Sequence, residues 1–85
     1  MPDEITDLQS VMRVIEVLLE EFAAEASIRQ RSVIPNALLN LAVNRMLVEE
    51  TPRSTAAILY RLAELIADGA RPHGSDAFAL NGHDA

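Results

Sequence analysis

The chain has no cysteine, no tryptophan and no lysine, and only three glycines, two phenylalanines and one tyrosine among its 85 residues. Without cysteine there are no disulfides, thiolate metal sites or thiol nucleophiles, and the redox compartment cannot be inferred from thiol usage. All seven basic residues are arginine, against thirteen acidic ones, and the resulting net charge of −6 favours solubility while repelling phosphate backbones. That argues against a sequence-independent nucleic-acid binder. No apolar run approaches the length that spans a bilayer, and the first residues are acidic rather than a basic leader, so the expectation is a cytoplasmic protein without a membrane segment. At this length the chain is expected to hold one domain.

Glycine is missing before Gly69; Gly69, Gly74 and Gly82 then fall near the end, with both histidines, His73 and His83. This shift divides the chain into a helical domain over 1–69 and a flexible tail over 70–85. Within the tail, Ser75 and Gly82 could cap a short helix over 75–81 that docks Phe78 and Leu80.

What is present is helical periodicity. Ile5, Leu8, Met12, Ile15, Leu19, Phe22 and Ala26 alternate three and four apart, the spacing that keeps one stripe facing one neighbour. Val11 and Leu18 widen the stripe, and Val14 and Val17 extend apolar surface farther round, so one neighbouring helix could not cover it all. The pattern predicts a first helix over about 3–27. It fades over Ser27–Ser32, and Pro35 disfavours a helical Ile34, which places a break there, with Ser32 a candidate cap for the next helix.

The second helix, about 34–49, carries Leu38, Leu39, Leu41, Val43, Met46, Leu47 and Val48 around most of its circumference, as expected of a helix buried between others. Thr51-Pro52 is a strong start for a third helix, about 52–68, because an extended pre-proline residue suits an N-cap and Pro52 at the first helical position loses no hydrogen bond. Gly69 and Pro72 end it. The fold class is therefore all-α, a three-helix bundle.

Twenty-five Val, Leu, Ile, Met and Phe side chains lie between Pro2 and Asp68, too many for the inward positions of one three-helix core. Each large aliphatic side chain left in water forfeits roughly 1.5–3 kcal/mol. A homodimer completing the core through the first or second helix is the expected remedy.

Little in the sequence carries chemistry. Asn36, Asn40 and Asn44 recur every four residues on the otherwise apolar second helix and fit a solvent-facing stripe, a register-fixing stripe in a helix interface, or a ligand-binding face. His73 and His83 stand beside Asp76 and Asp84 in the tail, where no fixed geometry would hold a metal. No serine lies in an elbow or triad motif, and the body has no glycine to cradle phosphate, so no enzyme and no cofactor are expected. Arg29, Arg31 and Arg53 near helix ends are the best case for contacting nucleic acid or another acidic partner, although the turn lengths do not match a helix-turn-helix reader.

From Asn40 onward the order Asn40, Asn44, Pro52, Ala57-Ile58, Ala63 resembles the second half of the YejL-like small bacterial proteins, an all-helical group without assigned activity. The resemblance spans about residues 40–66 and implies a helical homodimer; it transfers no catalytic or binding residue. The reading is a non-enzymatic, homodimeric protein-protein interaction module that presents Ile5, Leu8, Met12, Ile15, Leu19, Phe22 or the asparagine stripe at an interface and Phe78 and Leu80 to a protein partner. The alternative is a nucleic-acid-associated regulator using Arg29, Arg31 and Arg53.

Overall fold

The computed structural model describes residues 4–72 together with Ala77, Phe78 and Leu80. Its elements are α1 (Glu4–Glu25), α2 (Ile28–Ser32), α3 (Ile34–Glu49) and α4 (Pro52–Ala67), with no strand among the described residues. The fold is all-α, and it has four helices rather than the expected three. The extra one, α2, occupies the stretch where apolar periodicity fades. A capping box creates it: Gln30 N–H donates to Ser27 Oγ at 3.0 Å, and Ser27 N–H donates to Gln30 Oε1 at 3.0 Å. Two otherwise orphaned donors are satisfied reciprocally, enough to turn five residues into a helix.

Ser32 is not the cap of α3. Its hydroxyl donates back to the Arg29 carbonyl at 2.7 Å, and Val33, with no side-chain cap, stands between α2 and α3. Arg31 closes the other end of the corner. Its guanidinium Nη1 donates to the carbonyls of Ala23 at 3.2 Å and Ala26 at 3.4 Å, so α2 supplies the cation that the last turn of α1 lacks.

The ends of α4 follow from local chemistry. Thr51 Oγ1 accepts from Ser54 N–H at 3.0 Å, and Pro52 opens the helix. At the other end Gly69 takes φ 92°, its N–H donates to Ile66 and the Ala70 N–H donates to Leu65, the paired bonds of a Schellman motif. Only glycine adopts this φ without strain. The first two tail residues beyond this point are non-helical, as are Ala77, Phe78 and Leu80, so a continuous helix over 75–81 does not form; the other residues of that span, and both histidines, lie outside the described residues. A segment this short has little intrinsic helix stability, and side chains two apart share one side of an extended backbone.

Burial is concentrated on α4. Among the described residues only Ile58, Ala77 and Thr55 are buried, and the closest helix packing is α3 on α4 and α2 on α3. α3 has no buried residue at all, contrary to the expectation of a helix enclosed by others. Its apolar surface runs round most of the helix, and the closest packing on it, from α2 and α4, leaves much of that surface open. The radius of gyration is 14.4 Å, against about 12 Å for a compact domain of this length. No described helix is long and apolar enough to cross a membrane.

Thr55, 3% exposed, has a hydroxyl with no hydrogen-bond partner, whereas the Thr51 hydroxyl is used as a cap. Burying an unpaired hydroxyl costs about 1–3 kcal/mol, and losing a threonine cap costs about 0.5–2 kcal/mol. Thr55→Val is therefore expected to raise stability by about 1 kcal/mol and Thr51→Ala to lower it by a similar amount, measured as opposite shifts of the urea midpoint at constant slope.

Candidate interaction surface

The heptad stripe of α1 divides in the structure. Ile5, Leu8, Met12 and Leu19 are half-buried, while Ile15 and Phe22 are exposed beside Val11 and Leu18. The open set Val11, Ile15, Leu18 and Phe22 keeps four-three-four spacing, so it forms a continuous seam along one side of the helix. On α3, Leu41 and Val48 stand seven residues apart, two turns along one face, and are 65% and 84% exposed. Fifteen large apolar or aromatic residues are exposed among the described residues.

Asn36, Asn40 and Asn44 are all exposed on α3. Asn40 Nδ2 donates to the Asn36 carbonyl at 2.9 Å and to Asn36 Oδ1 at 2.5 Å. Asn40 thus places its amide donor on Asn36 along their own helix and needs no partner from another chain to use it.

A groove opens where three helices and the chain beyond Gly69 approach one another. Leu8 and Val11 of α1 face Leu39, Ala42 and Met46 of α3, with Ile58, Leu59 and Leu62 of α4 below. Phe78 and Leu80, both half-buried, line the same cavity, whose volume is about 640 Å³. Its charged lining consists of Glu4, Asp7, Glu49 and Glu50 against a single cation, Arg45. Glu50 is half-buried and its Oε1 accepts from Ser54 Oγ at 3.1 Å, which fixes one carboxylate at the rim. Of the residues singled out from the sequence, Leu8, Phe78 and Leu80 meet here. Ile5, Met12, Ile15, Leu19, Phe22 and the three asparagines do not line it.

Three of the groove's acids come from chain positions that periodicity alone assigns to solvent, and their proximity arises only when the start of α1 stands over the end of α3. The one sequence signal was indirect: Glu49 and Glu50 precede the Thr51 cap, so they had to lie at the α3–α4 corner. Among the arginines, Arg31 already donates to carbonyls of α1, which gives it a structural task. No group of three or more His, Asp or Glu side chains among the described residues could hold a metal ion.

No protein-family model matches the chain, and no characterised protein or solved structure is significantly similar to it. The surface must therefore be interpreted from its own chemistry.

Because Asn40 is satisfied within its helix, Asn40→Leu is expected to leave the sedimentation mass unchanged and to alter stability by less than about 0.5 kcal/mol, the usual range for an exposed position. A change of oligomeric state would instead assign the stripe to a helix interface.

Proposed function

We propose that the protein is a non-enzymatic helical interaction module that works as a homodimer, pairing the open apolar faces of α1 and α3 with those of a second copy. The observation carrying this reading is α3, sixteen residues long, apolar round most of its circumference and without one buried residue in the single chain. A helix of that composition gains little by facing water. The accessible surface of the chain is 7101 Å², against roughly 5,000 Å² for a folded monomer of 9.3 kDa.

A two-fold arrangement uses one patch on both copies. The seam Val11, Ile15, Leu18 and Phe22 suits such pairing because Glu16 and Glu20 lie on the far side of the helix and stay hydrated, while Glu25 stands at its end. Leu41 and Val48 add exposed apolar surface on α3. The YejL-like pattern of residues 40–66 points to the same assembly. The non-enzymatic part of the reading rests on the sequence, which offers no activated nucleophile and no phosphate-cradling loop.

Sedimentation velocity at micromolar concentration is expected to give about twice the 9.3 kDa chain mass. Leu18→Glu and Val48→Glu place a carboxylate in the paired surface, where burying an unpaired charge costs several kcal/mol, and should weaken association by well over about tenfold while circular dichroism stays helical. A single 9 kDa species for the unaltered chain would overturn the proposal.

A further inference from the structure

We infer that the acid-rimmed groove between α1, α3 and α4 is the docking site for a basic amphipathic helix of a partner protein. The inference rests on the reading of the chain as an interaction module and supplies the chemistry of its partner. Three observations lead to it.

The groove is apolar inside: Leu8, Val11, Met46, Leu62, Phe78 and Leu80 turn hydrocarbon toward about 640 Å³ of open space. Its length follows α3 from Leu39 to Glu49, ten residues or roughly 15 Å of helix at 1.5 Å per residue. Anchors at i, i+3 or i+4, and i+7 of an incoming helix span about 10 Å, so a two-turn apolar face fits along the floor. Its rim is acidic, with Glu4 and Asp7 on one side and Glu49 and Glu50 on the other against Arg45 alone.

Charge complementarity selects the occupant. An apolar helix face flanked by Lys or Arg would meet the hydrocarbon floor and the carboxylate rim together, and opposite charges would steer its approach. The first helix of a second copy fits poorly, since Glu16, Glu20, Glu21 and Glu25 would meet the rim with like charge. The homodimer surface described above and this groove therefore call for different partners.

The test uses the full-length protein and a fluorescein-labelled eighteen-residue Leu/Lys peptide with Leu at i, i+3, i+4 and i+7. Comparison peptides have the same composition in scrambled order, or Glu in place of Lys. Fluorescence anisotropy is expected to show saturable binding of the basic amphipathic peptide at one per chain, with both comparison peptides weaker by about tenfold or more. Ala42→Arg, at an exposed position lining the groove, should weaken binding about tenfold without loss of helicity. The double variant Glu4→Lys/Glu49→Lys should do the same and flatten the salt dependence. The matched change Glu20→Lys/Glu21→Lys, away from the groove, should leave affinity within about twofold.

Equal binding of the scrambled peptide, or equal damage from the Glu20/Glu21 variant, would overturn the inference by showing only attraction to net negative charge. Saturable binding of dodecylammonium with neither Lys peptide bound would also overturn it, assigning the groove to a small apolar cation. Sedimentation of the same samples separates the two proposals. A dimer that binds no peptide removes this inference alone, and a monomer that binds the basic peptide removes the homodimer alone.

Discussion

The structure depends on how much apolar surface four helices carry and how little of it a single chain can enclose. α4 has one apolar face and buries it: Thr55 and Ile58 sit at the interior, and Leu59 and Leu62 line the adjoining groove. α3 is apolar round most of its circumference, so packing α4 and α2 against it leaves Leu41, Leu47 and Val48 open. α1 is held mainly at its ends, by the Arg31 guanidinium at its last turn and across the groove at its first. The exposed α1 seam, the exposed α3 face and the open groove all follow from this mismatch. Since a domain's net stability is only about 5–15 kcal/mol, while each large side chain left in water forfeits roughly 1.5–3 kcal/mol, so much open hydrocarbon is not a detail of the surface. It governs what the molecule can do.

The helix ends that residue chemistry dictates were legible in the sequence. Thr51-Pro52 and Gly69 act through their own backbone and nearest neighbours, and the cap and the Schellman bonds lie at those residues. α2 was legible in principle, because Ser27 and Gln30 have capping-box spacing, but five residues are too few for hydrophobic periodicity to register. The burial of α3 was not legible. An all-round apolar helix specifies that something should cover it, not that its own chain can. The alternation along α1 was equally silent on direction: Ile15 and Phe22 share a stripe with Leu8, Met12 and Leu19, yet they are exposed where those three are half-buried.

The groove was the least visible feature before folding. Its lining comes from residues 4–11, 39–50, 58–62 and the chain near Phe78, and no local pattern reports their meeting. The tail composition pointed to Phe78 and Leu80 as docking groups, and both reach the cavity, although from non-helical backbone.

Acidity and apolarity are distributed differently over the two open surfaces, and this separates their roles. Leu41 and Val48 of α3 share their face with one charged residue, Arg45, which also lines the groove. A face with a single cation brings little like charge together across a two-fold axis, whereas an acidic rim placed on the same axis would face itself and repel. The rim is therefore the part of the molecule least suited to self-association and best suited to a cationic partner. The groove and the α1 seam share only Val11, so pairing through Ile15, Leu18 and Phe22 would leave two grooves available, one per copy. A partner with two basic helices on one chain would then bind the second at an effective concentration set by its linker, gaining avidity that neither groove has alone.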